Sequence, residues 1–212
     1  VMECIGKAVL DFSKLKGQDI SKDFIRPLVD GIDDENEIVR RIAAHSLCVM
    51  PLEPIKTYLD RIAQAAFYPR YGGDSESNQK LCIAVCRWVR TFDAGEKACH
   101  WSTWKQAKKH VEECLLSTSE GTKQHGLELL EVYPYNSPEI NRHLVDCLRP
   151  GRSALTRTRA CAAVGALGSK ACALACKLLP LLVEDSESLR TLAVKTLGII
   201  LSDDADEEVE FE

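Results

Sequence analysis

Aromatic residues are scarce in this chain. Phe, Trp and Tyr make 6% of its 212 residues, and Met occurs twice. That scarcity argues against a strand-rich sandwich, and 12 Gly and 8 Pro are too few for collagen-like, mucin-like or low-complexity chains. Long hydrophobic runs are missing too. The stretch Leu178-Leu179-Pro180-Leu181-Leu182-Val183 is short and broken by Pro, whereas a bilayer span needs ~20 apolar residues. The opening Val1-Met2-Glu3-Cys4 lacks the charged-then-apolar layout of a secretory signal. A first residue other than Met points to a piece of a larger protein. No H-E-x-x-H occurs, Gly72-Gly73 is not followed by the Lys-Ser/Thr of a phosphate loop, and no two cysteines form C-x-x-C. What remains is 45% apolar and 28% charged, enough to bury a sizeable core in ~1–2 domains.

The charge is unevenly placed. The net value is −5, yet Ser202 to Glu212 hold seven acids and no base. Taking those seven away leaves residues 1–201 at +2. A body so close to neutral does not capture nucleic acid by bulk attraction. The expected division is a domain over 1–201 and an acidic tail or linker over 202–212, too polar to fold alone.

Ten cysteines are present, at 4, 48, 82, 86, 99, 114, 147, 161, 172 and 176. Cys82/Cys86 and Cys172/Cys176 are one helical turn apart, and most neighbours are Ala, Leu or Val. Cysteine in such stripes acts as a small hydrophobe. Buried thiols in a reducing compartment, cytoplasm or nucleus, are therefore expected. His110 and Cys114, with Cys99-His100 just before, have ligand types that zinc accepts. No second ligand pair lies at a recognisable spacing, so no metal and no cofactor are expected. Nothing singles out a base and an orienting group for a Cys-His nucleophile either.

Apolar residues recur at three and four throughout. Val39, Ile42, Ala43, Leu47 and Met50 form one stripe; Leu81, Val85, Trp88, Val89 and Phe92 form another; Leu189, Leu192, Ala193, Leu197 and Ile200 form a third. The spacing predicts helices near 2–15, 20–31, 34–50, 54–68, 77–92, 100–116, 118–133, 138–149, 153–167, 169–183 and 186–201. Asp34/Glu37 and Ser117/Glu120 have capping-box spacing. Ser137-Pro138 places an N-cap before a first-turn Pro, and Pro150-Gly151 and Gly168 read as stops.

Five of these helices share a skeleton of acid, base three later, small residue three later, and apolar residue four later. Glu37, Arg40, Ala43 and Leu47 define it, and Glu187, Arg190, Ala193 and Leu197 repeat it. Glu120, Lys123, Gly126 and Leu130 follow it, Arg159, Ala162 and Ala166 match in part, and Glu76, Gln79, Cys82 and Cys86 match weakly. The second position falls at 40, 79, 123, 159 and 190, the period of a two-helix repeat.

The segments 33–47 (DDENEIVRRIAAHSL) and 184–198 (EDSESLRTLAVKTLG) resemble the second helix of HEAT repeats, with the armadillo family close behind. The resemblance implies an all-α, right-handed solenoid of about five helix pairs plus a leading helix. It further implies an Asp–Arg ladder between repeats, with Arg40 and Arg190 in the Arg position, Lys123 and Arg159 matching loosely, and a break at Gln79. Its members act in phosphatase scaffolding, nuclear transport, tubulin handling and complex assembly.

The expected function is thus a non-enzymatic scaffold or adaptor for protein partners. The alternatives are a helical regulatory domain of a larger enzyme and a nucleic-acid-binding solenoid, and neither nucleic acid nor membrane insertion is favoured. Outward positions of the second helices, Arg41, His45, Lys80, Arg87, His125, Arg157 and Lys195, predict a basic inner groove suited to an acidic peptide or loop, with Glu128 the acid among them. Trp101 and Trp104, three apart on one helical face and followed by Lys105, Lys108 and Lys109, form a candidate aromatic anchor. In the tail, Val209 and Phe211 give an extended peptide one apolar edge.

Overall fold

The computed structural model describes residues 22–70 and 75–202. The expected helix 2–15 and the tail residues Val209 and Phe211 lie outside them. The chain separates into two compact units, unit 1 through His110 and unit 2 from Val111. Every regular element described is helical.

Unit 1 contains α1 (Lys22–Gly31), α2 (Glu37–Cys48), α3 (Leu52–Ile55), α4 (Leu59–Phe67), α5 (Ser75–Arg90), α6 (Ala94–Cys99) and the start of α7 (Trp101–Leu116). Helix α2 packs between α1 and α5, and α4 covers α5. Ile25, Leu28, Leu47, Ile55, Leu59, Ile62 and Leu81 are among its fully buried side chains. Unit 2 holds the rest of α7, α8 (Glu120–Val132), α9 (Pro138–Cys147), α10 (Ala154–Leu167), α11 (Ala175–Leu178) and α12 (Glu187–Leu201). Helix α10 lies between α8 and α12.

Short polar side chains start most helices by accepting from otherwise unpaired first-turn N–H groups. Asn36 accepts from Ile38 N, Ser137 from Ile140 N ahead of Pro138, Ser153 from Thr156 N and Ser186 from Leu189 N. Two caps fall two residues later than their spacing predicts. Asp34 accepts from Asn36 N at 2.7 Å, one turn before the helix, and Asn36 becomes the cap. Ser117 likewise accepts from Ser119 N, and Ser119 caps α8. The last turn of α10 ends at Gly168, where φ is +62°, a conformation that a side chain would strain.

Two expected helices are subdivided. The stretch 54–68 becomes α3, a 3-10 turn over Lys56–Tyr58, and α4. The stretch 169–183 becomes 3-10 segments Gly168–Leu174 and Leu179–Val183 flanking α11. Pro180 lies in the first turn of the latter segment and offers no N–H to a longer helix. Burial of Ala171, Leu174, Leu178 and Leu181 keeps the three-four spacing, so the apolar pattern alone reads as one helix. One helix went unforeseen. Helix α6 buries no residue, which leaves periodicity silent, but Asp93 and Glu96 form a full capping box that was legible in the sequence.

The stretch Ala154–Val183 is long and apolar enough to pass for a membrane span, with mean hydropathy 1.6 over 18 residues. Gly168 breaks it. Each resulting limb is shorter than the ~20 residues that a crossing needs.

Two arginines of the motif, Arg40 and Arg190, clamp the turns that lead into their own helices. Arg40 Nη1 donates to the carbonyls of Asp34 (2.8 Å) and Glu35 (2.9 Å). Arg190 Nη1 donates to those of Glu184 (2.5 Å) and Asp185 (2.9 Å). Each guanidinium ties its own helix to the turn entering it. A cross-helix network forms instead around Lys123. Its buried ammonium lies 3.6 Å from Asp146 on α9, which also meets Arg149 at 3.5 Å and pairs with Arg152. Glu120 on α8 accepts from the Thr156 hydroxyl on α10 at 2.5 Å.

Gly126 tests the packing at the small position. A Cβ there would sit 2.8 Å from Cys114 Cβ and 3.2 Å from Leu115 N, while Gly121 on the same helix has nothing within 4 Å. Gly126→Ala should therefore lower stability by about 1–3 kcal/mol, although Ala is the better helix former. Gly121→Ala should be neutral or slightly stabilising. Equal melting temperatures for the two variants would contradict the close approach of α7 and α8.

Acid dependence checks the network. Burial works against ionised Asp146, but the Arg152 hydrogen bond and the charges of Arg152, Lys123 and Arg149 outweigh it, so its pKa falls below the usual value. The Thr156 hydroxyl lowers that of Glu120. Lowered carboxyl values give stability that is complete above the unfolded-state pKa, about 4, and is lost as pH falls through the folded values. Glu131, raised by burial, contributes in the opposite sense. Asp146→Asn should cost about 1–3 kcal/mol at pH 7 by leaving Lys123 unmatched, and the deficit should shrink toward pH 3. A deficit independent of pH would exclude this ionic role.

Candidate partner-binding surfaces

The α2/α5 face gathers four of the expected residues. Helix α2 buries Ala43, Ala44, Ser46 and Leu47. That register turns Arg41 and His45, one turn apart, to solvent, with Cys48 half-buried beside them. Helix α5 buries Leu81, Cys82, Val85, Cys86 and Val89, which leaves Lys80 and Arg87 exposed. The two helices pack against each other, and Lys80 and Arg87 lie within electrostatic reach of Cys48 on α2. Burial lifts the Cys48 thiol to about 11, and the Arg87 and Lys80 cations on the other helix pull it back down. Lys80 forms an ion pair with Glu76 at 2.6 Å. Arg41, His45 and Arg87 make no ion pair or hydrogen bond among the described residues.

Unit 2 does not extend this basic surface. Arg157, expected to point outward, has a side chain only 11% exposed and is ion-paired with Glu184. His125 is buried, 4.0 Å from Glu128. Arg159 meets Glu128 at 3.4 Å and Glu131 at 3.9 Å, so two acids face one base there. Lys195 is exposed and lines an open depression of about 560 Å³ with Glu187, Ser188, Thr191 and Leu192. Of the expected basic positions, Arg41, His45, Lys80 and Arg87 are exposed on α2 and α5, and Lys195 is exposed on α12.

The tryptophans divide. Trp88 is 6% exposed and belongs to the core. Trp101 and Trp104 lie on α7, whose register is set by the fully buried Thr103 and Ala107. The Thr103 hydroxyl donates to the Asp60 carboxylate on α4. With that side inward, the two indoles stack at the surface with centroids 4.7 Å apart. Lys108 Nζ lies 4.1 Å from the centre of the Trp104 ring, and Lys109 Nζ lies 6.0 Å from that of Tyr68.

With this geometry established, comparison with known proteins gives the fold. No protein-family model and no curated protein matches the chain. Solved structures do. A designed armadillo repeat protein is similar over 94% of this chain and 92% of its own, at 15% identity and a TM-score of 0.58. Another, in complex with the peptide (KR)4, covers 94% and 91% at 13% identity and a TM-score of 0.60. A third, computationally designed for modular peptide recognition, covers 93% and 91% at 16% identity and a TM-score of 0.55. The chain thus has an all-α solenoid fold of the armadillo/HEAT type.

The cysteines follow the fold with three exceptions. Cys82, Cys86, Cys114, Cys147 and Cys161 are buried, but Cys99, Cys172 and Cys176 are exposed. The last two lie on the outer side of the segment that buries Ala171, Leu174 and Leu178. Burial raises the thiols of Cys114, Cys147 and Cys161, that of Cys114 to about 11. A thiol reagent at pH 7.4 should therefore label Cys99, Cys172 and Cys176 first and the buried set only on unfolding. Equal labelling rates would contradict the packing of the buried thiols.

Proposed function

We propose that this chain is a non-enzymatic scaffold that holds an extended acidic protein segment across the α2/α5 face. The observation that carries the reading is that the packed helices α2 and α5 both expose basic side chains, Arg41 and His45 on one and Arg87 on the other, which make no ion pair among the described residues. Exposed arginines without ion-pair partners add nothing to internal stability, whereas an anionic partner can engage them. The solenoid fold presents an extended binding surface. A designed protein of this fold holds a basic peptide, (KR)4; here the exposed charge is of the opposite sign, which selects an acidic one. The nine described cysteines are thiols, which supports a cytoplasmic or nuclear setting.

Decaglutamate is a suitable probe. Reversing both cations with Arg41→Glu and Arg87→Glu should weaken its binding about tenfold at low salt, a loss of ~1.4 kcal/mol from two exposed pairs. The loss should appear mainly in the association rate and fade as salt rises. Equal affinity of wild type and double variant at low salt would refute the site.

A further inference from the structure

A second surface on unit 1 has a different chemistry. Trp101 is 56% exposed, although indole is among the largest apolar groups that a protein can bury. Its neighbours hold it in place. Trp104 is contacted from the preceding turn by Trp101 and from the following turn by Lys108, and α7 is pinned through Thr103 to Asp60. Holding one indole rigid and uncovered leaves little side-chain entropy to lose when a partner covers it. Lys105 lies on the same face, is exposed, and makes no ion pair among the described residues. Asp60, the nearby acid, is engaged by the Thr103 hydroxyl and lies 3.8 Å from His100.

We infer that Trp101, with Lys105 and Lys108, is an anchor site for an acidic peptide bearing one aromatic side chain. The peptide's ring covers Trp101, and its carboxylates meet the two ammonium groups. Charge complementarity selects the acidic segment. The single available indole selects one aromatic residue. Single-stranded nucleic acid is less well matched, because its binders offer successive aromatic platforms along a charged track, whereas Trp104 is already stacked and capped here.

The chain's own residues 203–212, DDADEEVEFE, have the required composition and supply the probe as a synthetic decapeptide. Titrations follow tryptophan emission in the Arg41→Glu/Arg87→Glu protein, in which the α2/α5 face is weakened, so that failure here is separable from failure of that site. The expected result is saturable binding. Trp101→Ala should weaken it about 30-fold, the ~2 kcal/mol of an interface hot spot, and the decapeptide with alanine in place of Phe211 should lose a similar factor. Because Trp101 is more than half exposed, Trp101→Ala should keep the wild-type circular dichroism and melting temperature. Lys105→Glu, a second variant, should weaken binding more at low salt than at high. Unchanged affinity in Trp101→Ala, equal binding of the peptide without its Phe, or no binding at all would overturn the inference. Saturable quenching by oligo-dT without peptide binding would replace it with a nucleic-acid site.

Discussion

Two helices lie side by side at close range only where neither places a bulky side chain between the backbones. The motif meets that constraint at its third position. Ala43, Ala193 and Gly126 occupy it, all buried, and Cys82 occupies it on α5 at 2% exposure. At Gly126 the neighbouring helix is so near that even a methyl group would strike Cys114 Cβ. Between α10 and α12 the fit is tightened by polar contacts: the Thr196 hydroxyl donates to the Cys161 carbonyl at 3.3 Å and accepts from its thiol at 3.4 Å. Every outward residue of the second helices, and so every candidate binding residue on them, takes its direction from this inward contact.

That dependence explains what could be read in advance. Small and large apolar residues at three-four spacing identify helices and their buried sides, and Arg41, His45, Lys80 and Arg87 follow as outward by geometry alone. The same reasoning fails for Arg157. Its position on α10 relative to the buried stripe suggests solvent, but Glu184, 27 residues later, reaches it. Sequence periodicity places a side chain on its own helix; it does not say which loop passes over it. Both Arg40 and Arg190 donate to backbone carbonyls five and six residues upstream. Identical spacing in the two units produced the same clamp twice, which marks it as a property of the local sequence.

Helix boundaries were legible where a cap dominates and illegible where only apolar spacing speaks. Ser137-Pro138 and Gly168 mark ends that the structure keeps. The stretches around Pro54 and Pro180 keep helical spacing while changing hydrogen-bond pattern, since a 3-10 turn also brings residues three apart onto one side. Helix α6 is the converse case. It is built from a capping box and an ion pair between Lys56 and Glu96, with nothing buried to betray it. Its place matters because it leads directly into α7 and the exposed indoles.

The two candidate surfaces of unit 1 differ in chemistry. On α2 and α5, Arg41 and Arg87 are exposed and make no ion pair among the described residues, whereas Lys80 meets Glu76, Arg61 meets Asp30 and Lys56 meets Glu96. Such a surface is tuned by salt and pays little for hydration. Trp101 stays exposed because its helix is fixed from the other side by Thr103 and Ala107, so it cannot rotate inward without exposing them. In unit 2 the corresponding charges are matched, Arg157 by Glu184 and Arg159 by Glu128 and Glu131. Internal ion pairs and partner binding compete for the same side chains: Arg157 and Arg159 of unit 2 are paired internally, while Arg41 and Arg87 of unit 1 make no ion pair among the described residues.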